Sequence, residues 1–499
     1  MEFIITALLF LLGVSVLFNL LRHHSKSRSK SKSTNLPPGP KSIPIIGNLL
    51  LLGQNPHRSL AKLAKTHGPI MTLKLGQLTT ILVSSPAMAK HVIHKNDVVF
   101  SNRTIPDAIR AHQHDQFSLV WLPLSKPWST RRKICNSYMF SVQKLDANRD
   151  LRRKKVDQLL ADVRKCCLAG QAIDIGQAAF TTMLNLMSNT FFSLDLADPS
   201  GDTAREFKEI VGCIMEGIGK TNLADFFPVL RKFDIQGIRR RTVINFGKFF
   251  ELSDRMIIQR LESRKKTGIS TDDFLDSLLS VAENSDEGFD RNDIKHLLLD
   301  LLLAGTDTTS NTIEWAMAEL LKNPETLTRA RVELQEKLGK GKVVEESDIS
   351  GLTYLQAIVK ETFRLHPIVP FLHRKAGEEV EICGFTVPKD AQVLVNIWAV
   401  ERDESVWENP NSFQPERFME KDVDIRGKDS ELIPFGGGRR ICPGLPLATK
   451  MLHLMLASLL HSFDWKLEEG LTPLGTDMEE KFGLTLHKAQ PLLAIPQLL

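Results

Sequence analysis

Phe435-Gly436-Gly437-Gly438-Arg439-Arg440-Ile441-Cys442-Pro443-Gly444 is the stretch on which the reading of this chain turns. Three successive glycines permit a tight turn and a close approach of backbone to a flat ligand. Arg439 and Arg440 stand just before the cysteine, and Pro443 leads into a helix whose N-terminus would lie beside the sulfur; both features favour a thiolate. Such a sulfur suits a soft metal ion, although the same loop would also house a buried, inert cysteine. The other five cysteines, at 135, 166, 167, 213 and 383, form no C-x-x-C pair with it or with each other. That argues against a disulfide scaffold, a zinc finger or an iron–sulfur centre.

Upstream, Arg291 to Lys322 reads as one long helix ended by Asn323-Pro324. Its middle, Leu298 to Ala304, is apolar almost all round and so belongs in a core. Ala304-Gly305-Thr306-Asp307-Thr308-Thr309 then interrupts it with a glycine, hydroxyls and a carboxylate, poor choices for a buried helix unless they do something there. Thr308 can bond back to the Ala304 carbonyl, and Gly305 would leave room for a small ligand. A solvated patch or a benign kink is the plainer reading. Further out, Glu361-x-x-Arg364 sets opposite charges at i,i+3 on a helix of about Leu355 to Leu365, Trp128 and Arg132 lie one turn apart, and Pro415-Glu416-Arg417-Phe418 sits in a long irregular stretch from Asp403 to Arg440. Ile70–Leu75 with Thr79–Ser84 reads as a hairpin, Ile382–Val387 and Gln392–Asn396 as strands, and Leu445 to His461 as a last helix. The expected class is mainly α with a small β portion, and no linker from 41 to 499 marks a domain boundary.

The chain has 499 residues and a net charge of +5. Residues 1–36 carry five basic groups and one acid, whereas the rest carries 59 basic and 58 acidic groups, so the excess does not speak for nucleic acid. Phe3 to Leu21 is a run of 19 uncharged residues, ~28 Å as a helix and close to the hydrocarbon thickness of a bilayer. Glu2 precedes it and Arg22-His23-His24 follow, the reverse of a cleaved leader, so residues 1–21 are expected to be a transmembrane anchor with the body on the cytosolic side. Residues 22–40, a Ser/Lys/Arg tract and then Leu36-Pro37-Pro38-Gly39-Pro40, read as a basic linker and stiff hinge before the body at 41–499.

Taken together these motifs resemble the cytochrome P-450 family. Phe435, Gly438, Arg440, Cys442 and Gly444 fill every defined position of its F-x-x-G-x-R-x-C-x-G signature, and Ala304 to Thr308, Glu361-x-x-Arg364, Pro415 to Phe418 and Trp128-x-x-x-Arg132 match its other elements. The resemblance runs the length of the chain. It implies the cytochrome P-450 fold, one large domain enclosing haem b (iron protoporphyrin IX). Cys442 would be the axial iron ligand; Arg440, Trp128, Arg132 and Arg374 would contact the propionates, with Phe435 beside the haem. Asp307 and Thr308 would deliver protons to dioxygen. Glu361, Arg364 and Arg417 would form a buried scaffold network.

The same resemblance implies a monooxygenase of the endoplasmic reticulum membrane, taking electrons from NADPH through a separate cytochrome P-450 reductase. Arg131, Lys133 and Arg439 are candidate docking contacts. Stretches such as Thr221 to Pro228 and Met478 to Gly483 are similar to the plant microsomal branch acting on terpenoids. The substrate expected is a monoterpene alcohol such as geraniol, with a sesquiterpene or diterpene as alternative, or an isomerase or dehydratase reaction in place of oxygenation. Substrate-lining candidates are Ile105, Trp121, Leu301, Ala304, Ile368, Val369, Phe371 and Leu484, all apolar. Three positions depart from the branch: Ser129 where arginine is usual, His373 where proline is usual, and Ile368 after His366-Pro367.

Overall fold

The computed structural model describes residues 35–197, 202–267, 271–284, 288–467 and 472–499. The expected anchor at 1–21 and the basic tract up to Thr34 lie outside them. Among the described residues no helix is long and apolar enough to cross a membrane.

The elements that frame the site are, in chain order, α1 (Pro56–His67), β1 (Ile70–Leu75), β2 (Leu78–Val83), α2 (Lys126–Tyr138), α3 (Ile175–Phe192), α4 (Arg291–Lys322), α5 (Thr353–Leu365), β3 (Phe371–Lys375), β4 (Gln392–Asn396), α6 (Leu445–Ser462), β5 (Glu480–Lys481) and β6 (His487–Lys488). Helices dominate, as composition and periodicity imply. β1 and β2 form the expected hairpin, one residue tighter than the sequence reading because Gly76, at φ +56°, turns the chain at once. β4 lies parallel to β2 and antiparallel to β3, giving the sheet order β1-β2-β4-β3. Ile382–Val387 is not one strand: Val380–Ile382 pairs back on Phe385–Val387 through Cys383 and Gly384, both at positive φ.

α4 starts at a capping box in which Asp290 accepts from the N–H of Asn292 and Asp293, while the Asp293 carboxylate accepts from the Asp290 N–H. It ends where the residue before Pro324 cannot stay helical. Its core-facing leucines join α3, α5 and α6 in the largest apolar cluster, while the sheet carries two smaller ones. α3 crosses it so closely that a Cβ on Gly305 would lie 2.6 Å from the Met187 methyl. Gly305 therefore serves helix packing, and the room for a small ligand that its sequence suggests is filled by Met187.

The irregular stretch before Cys442 is held from α5. Arg364 donates to both oxygens of Glu361 (2.7 and 2.8 Å) and to the carbonyls of Glu401, Pro410 and Ser412, while Arg417 and the Gln414 N–H reach the same carboxylate at 3.1 and 2.8 Å. Arg364 and Glu361 are fully buried. A second tie joins the C-terminal hairpin to α1: Glu480 accepts from His57 and from Arg58, each at 2.8 Å. Burial pushes the Glu480 carboxyl up, but the His57 hydrogen bond and the Arg58 charge outweigh it and bring its pKa down to about 2.

Two outcomes follow. Arg364→Leu strands a buried carboxylate and should cost about 3–5 kcal/mol, read as a lower urea midpoint; Glu361→Leu/Arg364→Leu should lose less than the sum of the two single variants. Glu480 is depressed in the folded state, so its contribution, about 3 kcal/mol, is present above pH ~4.5 and disappears as pH falls toward 2. Glu480→Gln should flatten that part of the stability–pH curve.

Candidate active site

Cys442 sits where the irregular stretch meets α6. Its N–H donates to the Phe435 carbonyl at 3.0 Å, closing the glycine loop. Gly438, at φ +63°, is obligatory there, since a Cβ would lie 2.5 Å from the Ile93 carbonyl oxygen. Phe435 sets its ring edge-on to Phe363 of α5, 5.3 Å between centroids, and so anchors the loop to the helix bearing Glu361. Burial pushes the Cys442 thiol up, opposed by backbone N–H groups of Gly444 and Leu445 at the start of α6 and by the charges of Arg132 and Arg103. The arginines next to it in sequence act elsewhere: Arg439 pairs with Asp97 at 3.2 Å, and Arg440 turns away to the carbonyls of Ser101, Leu119 and Leu122. Burial leaves the free sulfur as a thiol, and a metal would supply the driving force for deprotonation.

Four guanidinium groups gather nearby, Arg132 and Arg103 toward the sulfur and Arg374 and Arg440 beside Arg103. Arg440 is joined by Arg374, which donates to the His373 carbonyl, by Arg132, which donates to the Ile441 carbonyl at 2.7 Å, and by Arg103, which donates to Val120. None of the four forms an ion pair among the described residues, and the Arg103 Nε is buried without a partner. Burial and mutual repulsion bring Arg440 down to about 9 and Arg374 well below its ordinary value, while burial brings Arg103 down to about 10. Buried cations without counter-charge call for an anion. A flat group with two carboxylates and a thiolate-seeking iron meets that demand, so the residues present fit haem. Trp128 adjoins this cluster: its indole N–H donates to the Leu119 carbonyl at 3.1 Å, and its face lies 4.8 Å from the Arg440 guanidinium carbon. It steadies Arg440 by cation–π contact. Arg103 has no sequence motif around it and was invisible at that level.

On α4, Ala304 is exposed and Thr308 half-exposed within an otherwise buried helix. Thr308 Oγ1 bonds back to the Ala304 carbonyl at 2.8 Å. Asp307 points to the other side, buried, and accepts from Thr485 Oγ1 at 2.7 Å. About two turns earlier on α4, Asp300 accepts from His114, Ser118 and the Leu119 N–H, pinning the segment that carries Trp121 to the helix.

The candidate lining residues divide. Ile105, Val369 and Leu484 are half-exposed and Ala304 exposed, whereas Trp121, Leu301, Ile368 and Phe371 are buried. Leu301 belongs to the main core, and Phe371 packs in the sheet cluster with its ring near Phe482. Of the candidate docking residues, Lys133 is exposed and Arg439 is 58% exposed, but Arg131 is buried in an ion pair with Asp293 and does not offer its charge to a partner. Ser129 is exposed, away from the arginine cluster, and lines a cleft of about 500 Å³ with Leu124, Ser125, Trp128 and Arg439. His373 adjoins the cluster; burial, Arg103 and Arg374 bring it down to about 4, so it is neutral at physiological pH.

The sequence matches the family profile for cytochrome P450 over residues 37–493. It is 55% identical to a geraniol 8-hydroxylase of Swertia mussotii, over 97% of this chain and 98% of that protein. It is 54% identical to a geraniol 8-hydroxylase of Catharanthus roseus, over 97% and 99%. Drimenol monooxygenase of Persicaria hydropiper is 50% identical over 94% of this chain and 93% of its own length. The thiolate loop, the arginine cluster and these matches agree: the chain belongs to the cytochrome P450 family and is a haem-thiolate monooxygenase.

Proposed function

We propose that this enzyme hydroxylates a small lipophilic terpenoid, a monoterpene alcohol such as geraniol, using dioxygen and electrons from NADPH passed on by a membrane-bound cytochrome P-450 reductase. The observation that carries the reading is the similarity, near-complete in length, to two geraniol 8-hydroxylases. The apolar, partly open surfaces of Ile105, Ala304, Val369 and Leu484 support it, since they would orient a lipophilic molecule by shape.

Residues 41–499 act as one haem-enclosing domain, 1–21 as an anchor in the endoplasmic reticulum membrane, and 22–40 as the linker between them. Cys442 ligates the iron of haem b, and Arg103, Arg132, Arg374 and Arg440 neutralise its propionates. When bound, the haem supplies the activation of dioxygen for insertion of one oxygen atom into a C–H bond. Thr308, opening its side of α4 toward that space, holds a water or hydroxyl in hydrogen-bond reach. Asp307, on the next residue, is the reserve of protons for it. Lys133 and Arg439 lie on the surface where a negatively charged reductase would dock. A larger terpenoid is the second reading, favoured by the match to drimenol monooxygenase.

The test is a panel. Microsomes holding the enzyme, a reductase and NADPH are given geraniol, nerol, a sesquiterpene and a diterpene, with products read by mass after incubation under isotopically labelled dioxygen. Geraniol should gain one labelled oxygen; turnover of only the larger terpenes would replace the monoterpenol assignment. Thr308→Ala should lower product formed per NADPH consumed by about tenfold while NADPH oxidation continues. Cys442→Ala should abolish the reduced carbon-monoxide band of the haem-thiolate.

A further inference from the structure

A buried carboxylate in α4 has to be held by something, and in this chain the holder comes from the far end of the sequence. Asp307 Oδ2 accepts from Thr485 Oγ1 at 2.7 Å; the same hydroxyl lies 2.9 Å from His487 Nε2, which itself stands 3.7 Å from Asp307 Oδ1. Thr485 is 4% exposed, whereas the His487 side chain is 38% exposed. Thr485 stands in the bend that leads into β6 and His487 at the strand's first position, and the β5–β6 pairing lays both against α4. The donor inventory allows one directional chain: the imidazole Nε2–H donates to the Thr485 oxygen, and the Thr485 hydroxyl donates to the carboxylate. One end of that chain is in water and the other is the acid on the residue before Thr308.

We propose that Thr485 and His487 are positioning residues that aim the Asp307 carboxylate and re-supply it with protons from solvent. The proposal rests on the proton-reserve role given to Asp307 above. For each proton that Asp307 gives up, the Thr485 hydroxyl passes one to its carboxylate, and the His487 Nε2–H passes one to the Thr485 oxygen as His487 Nδ1 takes one from water; a ring flip then restores the Nε2–H donor, so one proton enters and one leaves. The other charged groups near this hairpin include Lys481, the cross-strand partner of His487, and Lys488 and Glu480 beside it; Glu314, Glu319 and Lys322 of α4 and Asp477 act on Lys488, and Glu216 acts on Lys481. Lys488 is taken by the Asp477 carbonyl and the Trp315 face, and Glu480 by His57 and Arg58. None of these side chains hydrogen-bonds to His487, Thr485 or Asp307.

The test compares wild type, Asp307→Asn, Thr485→Val, His487→Gln and His487→Ala as reconstituted holoenzymes, using whichever terpenoid of the panel turns over. Product per NADPH and its solvent hydrogen-isotope effect are measured from pH 6 to 8.5. Thr485→Val and His487→Ala should lower coupling by about tenfold, raise peroxide release and alter the pH profile. His487→Gln keeps a hydrogen-bond donor but cannot pass a proton on, so it should keep the fold and still lose coupling. Separately from turnover, carbethoxylation of His487, followed by peptide mass spectrometry, should run severalfold faster in Thr485→Val, where Nε2 is released. Loss of coupling in Asp307→Asn together with wild-type coupling and isotope effect in both His487 variants would overturn the relay alone. Full coupling in Asp307→Asn would overturn the acid role beneath it. A drop in melting temperature with unaltered coupling and pH profile would make the hairpin contact merely structural.

Discussion

A buried two-pronged hydrogen bond between Arg364 and Glu361 underlies the site more than any other single interaction. By itself α5 is an ordinary amphipathic helix. Once the carboxylate is committed, its remaining lone pairs recruit the Gln414 N–H and Arg417, and the free donors of Arg364 recruit three carbonyls. A stretch from 403 to 440 with little regular structure thereby acquires a fixed path. The Cys442 loop at its end inherits that fixity, with Phe435 wedged against Phe363 on the same helix. The pair's worth is positional: hydrophobic residues of similar volume could supply as much stability, but not the fan of directed bonds.

The second organising element is α4, which separates two kinds of chemistry by helical phase. Ala304 and Thr308, four residues apart, share the open face, while Asp307 looks back toward the C-terminal hairpin. Earlier on the helix, Asp300 binds the segment preceding α2 and so sets where the Leu119 and Leu122 carbonyls stand, the same carbonyls that catch Arg440 and, at Leu119, Trp128. The open face of α4, the arginine cluster and the cysteine loop are thus registered against one rod.

Local rules made much of this legible. The Asn323-Pro324 stop, the helix from 291 and the hairpin at 70–83 follow from periodicity, caps and spacing, whereas the reading of the glycine-bracketed cysteine as a haem ligand comes from resemblance to the cytochrome P-450 signature. What escaped depends on contacts across hundreds of residues. Nothing near Arg103 announces that three other arginines will meet it. Gly305 looks like space until Met187 fills it. Arg131 looks like a surface cation until Asp293 buries it. Thr485 and His487 meet Asp307 only once the last hairpin has been laid on α4, a contact across 178 residues that no local pattern announces.

The four unneutralised guanidinium groups also bear on how the molecule comes together. Their repulsion is a cost carried by the chain as it stands, and an anion entering among them would relieve it. By mass action, anything that binds only the folded state shifts the folding equilibrium toward it. A group that neutralised positions 103, 132, 374 and 440 would therefore raise the yield of folded protein as well as fill its site.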